Sequence, residues 1–166
     1  MVYVMEFYVD GGCRGNGTEG AIGAAACCLM RRDHRVHFDR SIHLPCNPTP
    51  TNQRAEIQAI ILALEWALQK YQELMSNPRL EVWIYSDSEY AIRCMRWVNR
   101  WATNGWRNVE GKEVANRDLI GRASNLHHQV RGLGSVRFEK ILRSENQMAD
   151  QLCNEMLDEQ ERQPGD

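Results

Sequence analysis

Residues Val2 to Val9 are apolar or aromatic on both alternating sets, Tyr3, Met5, Phe7 and Val9 on one and Val2, Val4 and Tyr8 on the other. A strand without a polar face is expected in the middle of a sheet, covered on both sides. The run ends at Asp10-Gly11-Gly12, and a glycine-rich turn follows. Ala21–Met30 and Arg35–Leu44 read as two more strands, so the amino-terminal part is predicted to be an antiparallel meander.

The period then changes. After a loop marked by Pro45, Pro48 and Pro50, Thr51-Asn52 caps a long helix whose apolar positions are Ile57, Ile60, Ile61, Leu64, Leu68, Tyr71 and Met75. These recur at helical spacing, and Asn77-Pro78 is the predicted stop. Leu80–Tyr85 reads as a strand, and Ser86-Asp87-Ser88 turns into a helix through about Arg100. A basic, Trp-rich stretch leads to a helix from about Asn116 to Val130, a strand at Val136–Leu142 and a last helix from about Glu145 to Asp158. Strands joined through helices run parallel. The pattern therefore predicts an α/β fold with a mixed five-stranded sheet, a three-strand antiparallel meander plus two parallel strands, flanked by helices.

At 166 residues, 43% hydrophobic, the chain fits one domain with a real core, here assigned to residues 1–158 with a polar tail at 159–166. It has no apolar run of about 20 residues for a membrane span and no secretory leader. Its six cysteines form no CxxC pair and have no His at zinc-ligand spacing, so reduced thiols in an intracellular protein, a monomer with no membrane partner, are expected. Nucleus, cytosol and mitochondrion are all compatible with this reading.

Four acidic residues stand out. Asp10 and Asp87 each follow an apolar strand. If those strands are parallel neighbours, the carboxylates lie about 5 Å apart at the sheet's carboxyl edge. Glu56 is placed in the first turn of the long helix and Asp150 one to two turns into the last. Taken singly, each is an ordinary turn or helix-end residue. Gathered together they would repel strongly unless a hard divalent cation neutralised them.

Five segments carry a resemblance. Asp10-Gly11-Gly12-Cys13-Arg14-Gly15-Asn16-Gly17, Thr51-Asn52-Gln53-Arg54-Ala55-Glu56 and Tyr85-Ser86-Asp87-Ser88 look like blocks of the type 1 ribonuclease H family. Asn104-Gly105-Trp106 with Gly111 to Asn116, and Asn146 through Asp150, complete the set in family order. The resemblance implies a ribonuclease H-like fold and hydrolysis of the RNA strand of an RNA–DNA hybrid, leaving 5′-phosphate and 3′-hydroxyl ends. It makes Asp10, Glu56, Asp87 and Asp150 the metal-binding catalytic carboxylates for two Mg²⁺ ions, with Mn²⁺ able to substitute. One ion would activate water and the other stabilise the leaving 3′ oxygen.

The resemblance also assigns contacts. Gly12, Asn16, Asn52 and Gln53 match positions that meet the RNA strand, whose 2′-hydroxyls both donate and accept hydrogen bonds. Thr51 and Asn116 match a pocket for a DNA phosphate, although Thr49 stands where some relatives carry Arg. Residues 93–122 hold Arg93, Arg96, Arg100, Arg107, Lys112, Arg117 and Arg122 against Glu110, Glu113 and Asp118, seven minus three, or +4. The whole chain is at −2, so this stretch, with Arg100 and Arg107 at its centre, reads as a phosphate-binding ridge on an acidic protein. Trp101 and Trp106 are candidates to pack against sugars, whereas Trp97 reads as a core anchor.

Many relatives place a mobile His before the last helix. This chain has none there; its histidines are His34, His37, His43, His127 and His128, and it resembles a His-less subgroup with Arg143 in the loop. A guanidinium is no general base near neutral pH, so the role implied for Arg143 is electrostatic. The rival classes are a recombinase or integrase core and a silent hybrid-binding module. The Thr51–Glu56 block and the basic Trp segment count against the first, the four retained carboxylates against the second. A stand-alone enzyme and a retroelement domain fit the sequence equally.

Overall fold

The computed structural model describes residues 1–30 and 37–163. Its elements in chain order are β1 Val2–Arg14, β2 Ile22–Met30, β3 His37–His43, α1 Asn52–Leu74, β4 Arg79–Ser86, α2 Glu89–Thr103, α3 Arg117–Arg131, β5 Gly134–Lys140, a 3-10 turn at Arg143–Glu145 and α4 Gln147–Arg162. The predicted order of strands and helices holds. Arg35 and Val36, the predicted start of the third strand, lie outside the described residues. The sheet order is β3-β2-β1-β4-β5, with β1 antiparallel to β2, β2 antiparallel to β3, and β1, β4 and β5 mutually parallel.

Helices α1, α2 and α3 pack against one another on one sheet face, over a core of Phe7, Val9, Ile57, Ile60, Ile61, Leu64, Val82, Ile84 and Ile120. α4 lies on the other face, mainly over β2 and β1, around Ala24, Ala26, Cys153 and Leu157. Among the described residues no helix is long and apolar enough to cross a membrane.

Five local expectations change. β1 is central but not covered on both sides: Met5, Phe7 and Val9 are buried, while Val2 and Val4 are 48% and 38% exposed. The single helix α4 reaches only the carboxyl half of that face. β1 also does not stop at Asp10; it pairs with β2 as far as Arg14 opposite Ile22. The long helix ends at Leu74, and Met75 is its left-handed C-cap, 86% exposed instead of part of the stripe. β5 begins two residues early, at Gly134, because its backbone presses on β4: a Cβ there would sit 1.9 Å from the Leu80 carbonyl oxygen. The last helix, in turn, runs on to Arg162.

Candidate active site

The parallel register of β1 and β4 pairs Val9 with Ser86, so the next residues, Asp10 and Asp87, stand side by side at the sheet's carboxyl edge. Glu56 is the fifth residue of α1, just past the first turn in which it was expected. Asp150 lies in the first turn of α4, because the 3-10 turn takes up the residues read as its start. All four carboxylates line one cleft of about 540 Å³, together with Gly11, Gly12, Asn52, Arg143 and Cys153.

Backbone contact sets the approach of α1 to β1. A Cβ on Gly11 would lie 2.2 Å from both the carbonyl carbon and oxygen of Ala55. Only glycine lets the strand carrying Asp10 touch the helix turn carrying Glu56. Gly12 meets only ordinary contacts, with Cys153 and Leu157.

Two buried polar residues fix the carboxylates. Asn146 is 1% exposed and donates from Nδ2 to the Val9 carbonyl at 2.9 Å and to Asp87 Oδ2 at 3.3 Å. Its Oδ1 is buried with no partner among the described residues. The Ser88 hydroxyl donates to Glu56 Oε2 at 2.5 Å and accepts the Ala91 amide at 3.0 Å as the cap of α2. Neither role was legible in the sequence, where both residues were merely members of matched blocks.

The electrostatics follow from this crowding. Burial first, then the charges of Asp87 and Asp150 and a hydrogen bond with the Asp150 carboxyl, push Asp10 up to about 8. Burial raises Glu56 as well, against a lowering by the Ser88 hydroxyl; Asp87 adds to the rise and Arg143 opposes it. The Cys153 thiol, pushed up to about 12 by burial and by Asp10 and Asp150, stays protonated and donates to the Ala24 carbonyl at 3.4 Å. It is a wall of the cleft, not a nucleophile.

A carboxyl that holds its proton near pH 8 beside two others marks a surplus of negative charge. A hard cation would relieve it, and the donors in the cleft are the oxygens such an ion prefers. Among the described residues no three His, Cys, Asp or Glu side chains form a metal-holding group by themselves. Mg²⁺ does not require one, since it binds through one or two carboxylates and completes its shell with water and substrate phosphate. The residues fit that ion.

The glycine-rich turn is latched to the start of α1. Asn52 Oδ1 accepts the Cys13 amide at 2.9 Å, and Asn16 Oδ1 accepts the Asn52 amide at 2.8 Å. Each carboxamide thus commits its oxygen to the scaffold and leaves its NH₂ without a protein partner among the described residues. Thr51 caps α1 through the Arg54 amide at 3.1 Å. Asn116, in a left-handed conformation before α3, donates to the Tyr90 hydroxyl at 2.9 Å and to Gln53 Oε1 at 3.5 Å. Arg54 braces it from Nη1 at 3.4 Å while pairing in bidentate fashion with Asp118 at 3.0 and 2.7 Å. That pair holds the Asp118 carboxyl below its usual range. Arg54, Tyr90 and Asp118 were not picked out from the sequence, because their partners lie dozens of residues away.

On the ridge Trp97 is not the core anchor that was expected. Trp97 is 39% exposed, with the Arg100 guanidinium 5.1 Å over its ring. Trp101 and Trp106 are half-buried and pack against the core, with Arg117 5.4 Å above Trp106. Arg93, Lys112, Arg117 and Arg122 pair with Glu89, Glu110, Glu113 and Glu65. Arg96, Arg100 and Arg107 have no carboxylate partner among the described residues, so the free charge sits where Arg100 and Arg107 were expected to act.

The RNase H family model matches residues 3–158. The chain is similar to a ribonuclease H of Clostridium botulinum, 30% identical over 158 residues that cover 92% of this chain and 94% of that one. It is similar in structure to LC11-RNase H1, isolated from compost, with a TM-score of 0.68 at 25% identity over 93% of this chain and 96% of the other. A foamy viral protease-reverse transcriptase in complex with an RNA/DNA hybrid shares the fold, with a TM-score of 0.72 at 20% identity over 93% of this chain and 20% of that one.

Proposed function

The chain belongs to the type 1 ribonuclease H family, and from that premise we propose that it is an endoribonuclease that cuts the RNA strand of RNA–DNA hybrids, leaving 5′-phosphate and 3′-hydroxyl ends. The observation that carries this reading is the convergence of Asp10 from β1, Glu56 from α1, Asp87 from the turn after β4 and Asp150 from α4 on one cleft. These four would hold two Mg²⁺ ions, or Mn²⁺ in their place. Bound there, the ions supply Lewis-acid activation of water and stabilisation of the leaving 3′ oxygen.

The chain's own residues do the rest. Asn146 and Ser88 hold Asp87 and Glu56 in place, so the cleft is ordered before substrate arrives. The NH₂ groups of Asn16 and Asn52 face an RNA strand as donors for its 2′-hydroxyls, the group that distinguishes it from DNA. Thr51 and Asn116, braced by Arg54 and Tyr90, seat a phosphate of the DNA strand. Arg96, Arg100 and Arg107 draw the duplex toward the ridge by phosphate attraction. Arg143 lines the cleft and offsets carboxylate charge there, without taking a proton. In this reading the enzyme works as an intracellular monomer, with residues 1–158 as the catalytic domain.

The test labels each strand in turn and compares hybrid, duplex RNA and duplex DNA, with Mg²⁺ and with EDTA. The expected outcome is Mg²⁺-dependent cutting of the RNA strand of the hybrid alone. Equal cutting of duplex RNA or of the DNA strand overturns the substrate assignment.

A further inference from the structure

The face of β4 turned away from α1, α2 and α3 carries Glu81, Trp83 and Tyr85, which stay partly exposed, while Leu80, Val82 and Ile84 are buried on the other side. Register aligns Tyr8, Tyr85 and Glu139 in one row across the sheet, and Glu6, Trp83 and Arg137 in the next. The rings form a continuous tile. Tyr8 and Tyr85 stack with centroids 4.8 Å apart and Trp83 stacks on Tyr85 at 6.3 Å, with planes 25° and 8° apart. The Arg137 guanidinium lies 5.0 Å over Trp83, so the tile already binds a cation of its own chain.

Carboxylates dominate around the rings. Among the described residues, Glu6, Glu81, Glu139 and Glu145 oppose Arg79 and Arg137, four minus two, or −2. Beside Tyr8 a groove of about 230 Å³ opens between Met30 and Met148, with Glu145 on its rim. Neither the cleft nor the ridge accounts for this surface.

We propose that this face docks a basic polypeptide segment, with one Arg or Lys side chain of that segment seated in the groove beside Tyr8. The aliphatic stem would lie along Met30 and Met148 and the cationic head would reach Glu145, with further guanidinium groups stacking on Tyr85 as Arg137 does on Trp83. Charge complementarity selects this occupant. A nucleic acid would set its phosphates against four carboxylates, and a second copy would set like charge against like. The proposal stands apart from the hydrolytic reading.

The test titrates ¹⁵N-labelled protein, in saturating Mg²⁺ so that cations are already supplied to the catalytic cleft, with an acetylated Gly-Arg-Ser repeat peptide and with its Gly-Glu-Ser counterpart. Saturable, salt-sensitive shifts centred on Tyr8, Trp83 and Tyr85 are expected from the Arg peptide only. The double variant Glu6→Lys/Glu139→Lys should bind it roughly 10-fold more weakly and still cut hybrid at the wild-type rate. Absence of binding, shifts centred on Asp10 and Asp150, equal binding of the Glu peptide, unchanged affinity in the double variant, or self-association through this face in sedimentation each overturn the proposal.

Discussion

The Ser88 hydroxyl hydrogen bonds to Glu56 at 2.5 Å while it caps α2, so one oxygen ties a carboxylate of α1 to the start of another helix. Ser88→Ala removes both bonds. The lost cap should cost about 1 kcal/mol, and Glu56, without its donor, should rise further. Thermal melts should show a modest loss of stability, and single-turnover cleavage should fall several-fold and recover at higher pH. A variant whose rate loss is the same at every pH would show that Ser88 acts only as a cap.

Asn146 joins the ends of β1 and β4 through one NH₂ group, bonded to Val9 and Asp87. Asn146→Ala leaves the Val9 carbonyl buried without a donor, at about 1–3 kcal/mol. It also frees Asp87 to swing. Stability should drop by that amount, and the Mg²⁺ concentration for half-maximal cleavage should rise. An unchanged Mg²⁺ requirement would mean that Asp87 holds its place unaided.

Where a side chain's place follows from local pattern, the sequence was legible; where it depends on long-range packing, it was not. The strand reading of Leu80–Tyr85 and the helical spacing of α1 placed Asp87 at the end of β4 and Glu56 near the start of α1, and the parallel pairing followed from the intervening helix. Gly11 was read as the end of the first strand and Gly134 was left out of the last one, because their use is close backbone contact with Ala55 and Leu80, which no local pattern reveals. The apolar β1 residues Val2 and Val4 imitate a buried face, since hydrophobicity does not tell whether a covering helix is long enough to reach them. Trp97 was misread as a core anchor because the local sequence does not say which ring of a helix meets the core; it is 39% exposed.

The ridge reading makes a salt-dependent prediction. Arg100 and Arg107 carry charges with no carboxylate partner among the described residues, so their whole attraction is available to phosphate. Replacing both by Ala should weaken hybrid binding and reduce the slope of log K against log salt by roughly 1–2. Cleavage at saturating substrate should change less. An unaltered slope would place the hybrid elsewhere on the surface.

Acid should act through His127. Its partly buried ring meets Phe138 edge-on at 5.1 Å, and burial, with His128 and Arg131 nearby, depresses it from 6.5 to about 4. Between those values the unfolded chain binds a proton that the folded chain does not, so stability rises with pH across the window. The contribution is complete above 6.5 and lost as pH falls toward 4. Solvent reaches part of the ring, which limits the effect to about 1–2 kcal/mol. His127→Leu should flatten this limb in denaturant titrations. Asp118, held low by Arg54, would still lose its contribution at more acidic pH.

Asp10 and Arg143 share the cleft, but their substitutions should part company. Asp10 is raised to about 8 from 3.8, so the stability tied to its protonated form is complete below 3.8 and lost as pH rises through 8. In EDTA at pH 8 the wild type should therefore be strained by a charge that Asp10→Asn lacks, and the carboxamide can still donate to Asp150. The variant should melt ~5 °C higher or more, keep its affinity for hybrid through the ridge and the Asn16–Asn52 turn, and cleave only at background. Arg143→Ala removes a cation that opposes proton uptake by Glu56. It should slow single-turnover cleavage by ~10-fold, on the order of 1.4 kcal/mol, with no gain in metal-free stability. Melting curves, hybrid affinity and cleavage rates measured in parallel decide the matter. Wild-type cleavage by Asp10→Asn together with an inactive Arg143→Ala would exchange the roles assigned to these two side chains.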